Sequence, residues 1–104
     1  GIISVTAFDN GGKLLSVASY DDLDVVMNFA KCKSYRAVVY GEEGIIVKEL
    51  TTDKIYEAEA DVFARMARSG RAPYPDKKLL TPVLVMNAIE KSLKGKRRVY
   101  LNEL

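Results

Sequence analysis

The sequence contains no histidine, which removes both the commonest general base and the commonest metal ligand. It holds a single cysteine, Cys32, so no disulfide can form within the chain and no cysteine pair can grip zinc. A lone cysteine suits a reducing compartment, and the expected location is cytoplasmic. No apolar run approaches the roughly 20 residues of a membrane span, and no signal peptide opens the chain, so no membrane partner is expected. Neither G-x-G-x-x-G nor G-x-x-x-x-G-K-S/T occurs, and with them go the two best-known backbone cradles for nucleotide phosphates. Charge of one sign is scarce as well. The 16 basic and 14 acidic residues leave a formal net charge of +2, too little to demand a polyanionic partner.

What is present reads as one domain spanning residues 1–104. With 48% hydrophobic residues, a chain of this size buries roughly 60–70% of its unfolded surface and needs no metal or disulfide to hold a core. It begins at Gly1 rather than Met, and residue 2 is already strand-like, which reads as an artificial cut in a longer protein.

The first half has the period of strands. Residues 2–8 and 14–20 flank Asp9-Asn10-Gly11-Gly12, a cluster that tolerates the positive φ of a tight hairpin turn. Residues 23–30 alternate, with Leu23, Val25, Met27 and Phe29 on one side and Asp24 and Asn28 on the other. Residues 35–40 are β-branched and aromatic, and Gly41-Glu42-Glu43-Gly44 turns them into residues 45–50. Residues 51–54 form another turn, and Ile55-Tyr56 reads as a short strand or the approach to a helix. Short linkers favour antiparallel neighbours, since parallel ones need long crossovers.

The second half has the period of helices. Over residues 57–68, Val62, Phe63, Met66 and Ala67 share a face opposite Glu59, Asp61, Arg65 and Arg68. Gly70 suits the left-handed end of that helix, and Pro73 and Pro75 stop its continuation. Thr81 is placed to cap a second helix with Pro82 at its first position. Its body runs to Lys94, with Asn87, Glu90, Lys91 and Lys94 as the wet stripe, and Gly95 closes it. Residues 99–101 read as a last strand. The expected class is α+β: a mostly antiparallel open sheet with two main helices packed on one face. Ile2 and Ile3, Leu14 and Leu15, Val25 and Val26, and Val38 and Val39 place apolar side chains on both faces of their strands. The second sheet face is therefore expected to be covered in part by another domain or another subunit.

Candidate chemistry is thin. Gly41-x-x-Gly44 resembles half a phosphate loop but lies between strands, so a hairpin is favoured. Asp21, Asp22 and Asp24 offer oxygen ligands for a hard cation, against a solvated strand entrance, which is preferred because no EF-hand glycine accompanies them. Lys94, Lys96, Arg97 and Arg98 could meet nucleic-acid phosphates. They also complement the negative end of a helix dipole, and no aromatic platform accompanies them, so no nucleic-acid partner is expected. Lys31 and Lys33 flank Cys32 and would lower its thiol pKa, yet no base or resolving partner is visible. Tyr35, Tyr40, Tyr74 and Tyr100 could each donate to a polar ligand but read as packing residues.

Residues 61–101 carry Asp61-Val62-Phe63, Met66, Ser69-Gly70-Arg71, Pro75, Leu80, Val83, Ala88, Ser92, Gly95 and Val99-Tyr100-Leu101. In that order they are similar to the closing segment of the Gfo/Idh/MocA family of NAD(P)-dependent oxidoreductases. That segment has a helix ending in Ser-Gly, a proline-bearing loop, a helix with Ala and Ser on its packing face, and Gly-basic-basic-Val-x-Leu. Upstream, residues 22–30 resemble the family's strand ahead of F-x-N-G, and residues 39–45 resemble its V-x-G-x-x-G hairpin. The resemblance implies the C-terminal, substrate-side domain of a two-domain enzyme acting on a sugar or polyol-like small molecule. It also implies a homodimer through the sheet face. The family's dinucleotide fingerprint, Glu-Lys-Pro motif and Asp-x-x-x-His pair are missing here. They belong to an N-terminal Rossmann domain and to the start of the full C-terminal domain. No catalytic, cofactor-binding or metal-ligating residue is therefore assigned, substrate contacts are left unassigned, and NAD(P) is expected for the parent protein rather than for this chain. The alternative is a stand-alone α+β interaction module with no enzymatic parent.

Overall fold

Gly11 and Gly12 have φ of 62° and 84°, the left-handed values that a two-residue turn needs to match strand twist and that side chains with a Cβ resist. Asp9 reinforces the turn: its Oδ1 accepts the Gly12 N–H at 2.8 Å. The computed structural model describes residues 1–31 and 35–104. Around this turn, β1 (Ile2–Asn10) and β2 (Lys13–Tyr20) pair antiparallel, and β3 (Asp24–Phe29) pairs antiparallel with β2. The hairpin β4 (Tyr35–Gly41) and β5 (Gly44–Leu50) follows, then α1 (Ile55–Ser69), α2 (Asp76–Gly95) and the two-residue β6 (Val99–Tyr100). A 3-10 turn over Leu101–Glu103 ends the chain.

The class is α+β with open antiparallel sheets. The strands divide into a four-stranded sheet ordered β3-β2-β1-β6 and a separate two-stranded sheet, β4-β5. The chain correspondingly forms two compact units: Gly1–Ala30 with Tyr74–Leu104, and Lys31–Pro73.

In the first unit, cross-strand partners share a face. Val5 stands opposite Ala18, and Ala7 opposite Ser16. This face, with Ala88 and Ile89 of α2 and Val99 of β6, forms the buried core. Ala7, Ala18 and Ala88 are small, so the helix lies close on the sheet, and Leu14, Met27, Val85, Leu93 and Leu101 pack at the margin. The Ser16 hydroxyl is enclosed in this layer without a hydrogen-bond partner. The opposite face carries Phe8, Leu15 and Val26, all exposed.

In the second unit, β4 and β5 run in register from Gly41↔Gly44 to Tyr35↔Leu50, and Arg36 pairs with Glu49 across them. Every residue of both strands is exposed. Helix α1 ends as its sequence requires, with Gly70 at φ 68° and its N–H bonded to the Met66 carbonyl. It begins at Ile55, so Ile55-Tyr56 opens the helix and is not a strand.

Two boundaries differ from the sequence reading. Helix α2 starts at Asp76, six residues ahead of Pro82. Pro75, extended at φ −60° and ψ 148°, is the residue that precedes the helix. Its carbonyl accepts the N–H of Lys78 (2.9 Å) and Leu79 (3.3 Å), which closes the first turn. Asp76 suits the positive end of the dipole, and the following lysines and leucines are good helix formers. Thr81 is therefore not a cap: its hydroxyl donates back to the Lys77 carbonyl at 2.8 Å. Pro82 has no N–H for the Lys78 carbonyl, so it costs one helical bond on an exposed stretch of the helix. At the other end the strand stops at Tyr100, because the Glu103 carboxylate accepts the Tyr100 N–H at 2.9 Å and bends the chain.

Candidate functional site

The most structured polar feature lies where the C-terminal end of α2 meets β1. β6 pairs with β1 only at Ser4 and Val5, so the outer edge of β1 beyond Val5 has no strand beside it in this sheet. Ser92, fully buried on α2, substitutes for that strand. Its Oγ accepts the Ala7 N–H at 2.8 Å and donates to the Arg97 carbonyl at 2.6 Å. One hydroxyl thus satisfies two backbone groups 90 positions apart, the Ala7 N–H on the open edge of β1 and the Arg97 carbonyl just past the helix.

Lys96 ends the helix in the left-handed conformation at φ 51° and ψ 42°, and its N–H bonds the Ser92 carbonyl. This reverses the chain so that Arg97 faces the last turn. The Arg97 guanidinium grips Glu103 with both terminal nitrogens, at 3.2 and 2.8 Å, a forked geometry that fixes orientation. The Glu103 carboxyl is held down to about 2 from the ordinary 4.5, first by its hydrogen bond to Arg97 and then by the Tyr100 N–H. The same contact raises the Arg97 pKa.

Beside this joint lies a cleft of about 500 Å³ between the β1 edge (Thr6, Ala7, Phe8, Asp9) and the helix end (Leu93, Lys96, Arg97). Its ionic groups are two cations and one carboxylate. Arg97 is engaged by Glu103 and Asp9 by the turn. Such a lining can hold a small polar or anionic group, but it offers no nucleophile with an adjacent base.

The other sequence candidates are scattered. Asp21 and Asp22 are exposed at the bend before β3 and Asp24 is exposed as its first residue, and among the described residues no group of three or more His, Cys, Asp or Glu could hold a metal. Lys94 pairs with Glu90 one helical turn away at 2.7 Å, and that contact lowers the Glu90 pKa. Lys96, Arg97 and Arg98 surround the helix end, as a dipole-complementing cluster does. Gly41 and Gly44 face each other across a hairpin, not at a helix start. Tyr35 and Tyr40 are exposed on β4, Tyr100 lies beside the Arg97–Glu103 pair, and Lys78 stands 5.6 Å over the ring of Tyr74. Cys32 and Lys33 lie outside the described residues. Neither the Ser92 bridge nor the Arg97–Glu103 fork carries the residue pattern of a reactive site. The only signals were a serine on an otherwise apolar helix stripe and a Glu placed after a basic run. No helix among the described residues is long and apolar enough to cross a membrane.

No family model, curated protein or solved structure matches the chain. The fold and the joint at Ser92 therefore define an α+β scaffold, and the choice of biochemical role rests on the chain's own residues.

Proposed function

We propose that residues 1–104 are the substrate-side and dimerisation portion of an NAD(P)-dependent oxidoreductase of the Gfo/Idh/MocA type, whose parent acts on a sugar or polyol-like small molecule. The observation that carries this reading is the ordered run from Ser69-Gly70 through Ala88, Ser92 and Gly95 to Val99-Tyr100-Leu101. Ala88, Ser92 and Val99 are all fully buried, which supports a role for that run as the joint between helix and sheet. Hydride transfer takes place between nicotinamide and substrate at the cleft between this portion and a Rossmann domain outside residues 1–104, and the present residues supply a wall and a dimer surface. The exposed face of Phe8, Leu15 and Val26 supports a homodimer contact through the sheet. The location is cytoplasmic, and neither nucleic acid nor membrane is a partner.

The test compares residues 1–104 with the same chain joined to whatever its gene encodes ahead of Gly1. NADH or NADPH fluorescence is expected to change on binding to the longer protein and to stay constant with the shorter. A gene with no dinucleotide-binding domain ahead of Gly1 ends this reading. The second reading is a stand-alone interaction module without an enzymatic parent. It is favoured by the hairpin β4–β5, whose apolar residues are exposed on both faces.

A further inference from the structure

Strand β3 is the outer strand of the four-stranded sheet, and its backbone orientation follows from a single bond. The Ala7 N–H is directed away from β2, to Ser92. Alternation along antiparallel ladders then turns Phe8 and its partner Leu15 toward each other, and turns Ser16 toward Met27 on β3. The groups of Val25, Met27 and Phe29 face β2, so the N–H and C=O of Asp24, Val26 and Asn28 face the open edge.

Of the usual protections, that edge carries only charge at its ends. The segment Asp24–Phe29 has no proline, glycine or lysine, and Val25 and Val26 are exposed on opposite faces. Such an edge invites another strand. Its charges select which one. Asp21, Asp22 and Asp24 lie at its start, and Lys31 follows its end. A parallel copy would set acid against acid, whereas an antiparallel copy sets acid against base.

We propose that β3 pairs with β3 of a second copy of this chain, antiparallel about Val26, joining two sheets into one. Outward-facing residues must oppose outward-facing residues. Centred on Val26, the register places Asp24 opposite Asn28 of the partner subunit and Val25 opposite Met27 of the partner subunit, and it brings the acidic start of the strand to the end that Lys31 of the partner subunit follows. Each contact occurs twice across the two-fold axis. The carboxylate–amide pairs supply side-chain hydrogen bonds on the face that bears Val26.

The pairing does not rest on the oxidoreductase reading or on the face contact. Sedimentation velocity over a concentration series tests it with three variants. Val26→Pro removes an N–H that has no partner within the sheet, so it is tolerated on an edge and blocks the new ladder. It is expected to lower the association state by one step with unchanged far-UV circular dichroism. Asn28→Lys sets a cation opposite Asp24 of the partner subunit at both ends and is expected to tighten association by on the order of tenfold. Asp24→Lys combined with Asn28→Lys opposes like charges and is expected to weaken it by a similar factor. Phe8→Asp, on the sheet face, removes the face contact and leaves the edge pairing intact. A folded Val26→Pro that associates like the unaltered chain overturns the proposal. So does an unaltered chain that stays monomeric throughout, or a pair of charge variants with the same dissociation constant. Should Val26→Pro fail to fold, the two charge variants decide alone.

Discussion

Two isoleucines illustrate how differently the halves of this chain are held. Ile89, on α2, is 3% exposed and packed among Val5, Ala7, Ala18 and Val99. Ile46, on β5, is 69% exposed. Both belong to elements whose period is clear in the sequence, and both elements form. In the unit Gly1–Ala30 with Tyr74–Leu104, the apolar stripe of a helix meets the apolar face of a sheet. In the unit Lys31–Pro73, no described residue is fully buried, and α1 contributes only half-buried Val62, Ala64 and Met66. A two-stranded hairpin is marginal in water, and a helix of 15 residues draws most of its stability from packing. The contrast teaches that a strong local pattern specifies an element without supplying the surface that stabilises it.

The sharpest way to break the comparison is to truncate both isoleucines. Ile89→Ala is expected to cost about 2–5 kcal/mol of unfolding free energy, and Ile46→Ala less than about 0.5 kcal/mol, both read from urea unfolding. Equal losses would mean that the hairpin is covered in solution. Ser92→Ala is expected to cost about 1–3 kcal/mol, because the Ala7 N–H and the Arg97 carbonyl lose a shared partner in a buried site. Amide exchange at Ala7 should accelerate, which distinguishes this loss from a simple cavity.

Ser16→Ala is expected to act in the opposite direction. It deletes a buried hydroxyl without a partner and should stabilise the first unit by about 1 kcal/mol, seen as a higher urea midpoint with an unchanged slope. The smallest effect concerns pH. Glu103 has a folded-state pKa depressed to about 2 from 4.5. Its contribution is therefore complete above pH 4.5 and fades as pH falls through that value toward 2. Thermal midpoints should show that acid-limb decline in the unaltered chain and a shallower one in Glu103→Gln.

Much of the secondary structure was legible. The Asp9–Gly12 turn and the Gly41–Gly44 turn each carry glycines where the backbone needs them, and Gly70 ends α1 as a left-handed residue should. The start of α2 was not legible at Pro82, since a proline at the first helical position and one tolerated seven residues in leave the same trace. The apolar character of the back face was legible in paired apolar residues such as Leu14-Leu15 and Val25-Val26, which point to a cover; Phe8, Leu15 and Val26 are exposed there. The joint at Ser92 was hidden for a different reason. Its hydrogen bond spans 85 positions, and no local window contains both ends.

By itself, the sequence determined the α+β class, the hairpin turns and the absence of histidine chemistry, because each depends on residue type or on a short-range period. The tertiary structure alone decided that the six strands among the described residues split into two sheets and that one unit has a core. It also decided that a serine and a forked Arg97–Glu103 pair finish the edge of β1. Those outcomes depend on which surfaces meet. Alternation in a strand says which side is apolar and leaves open what will cover it.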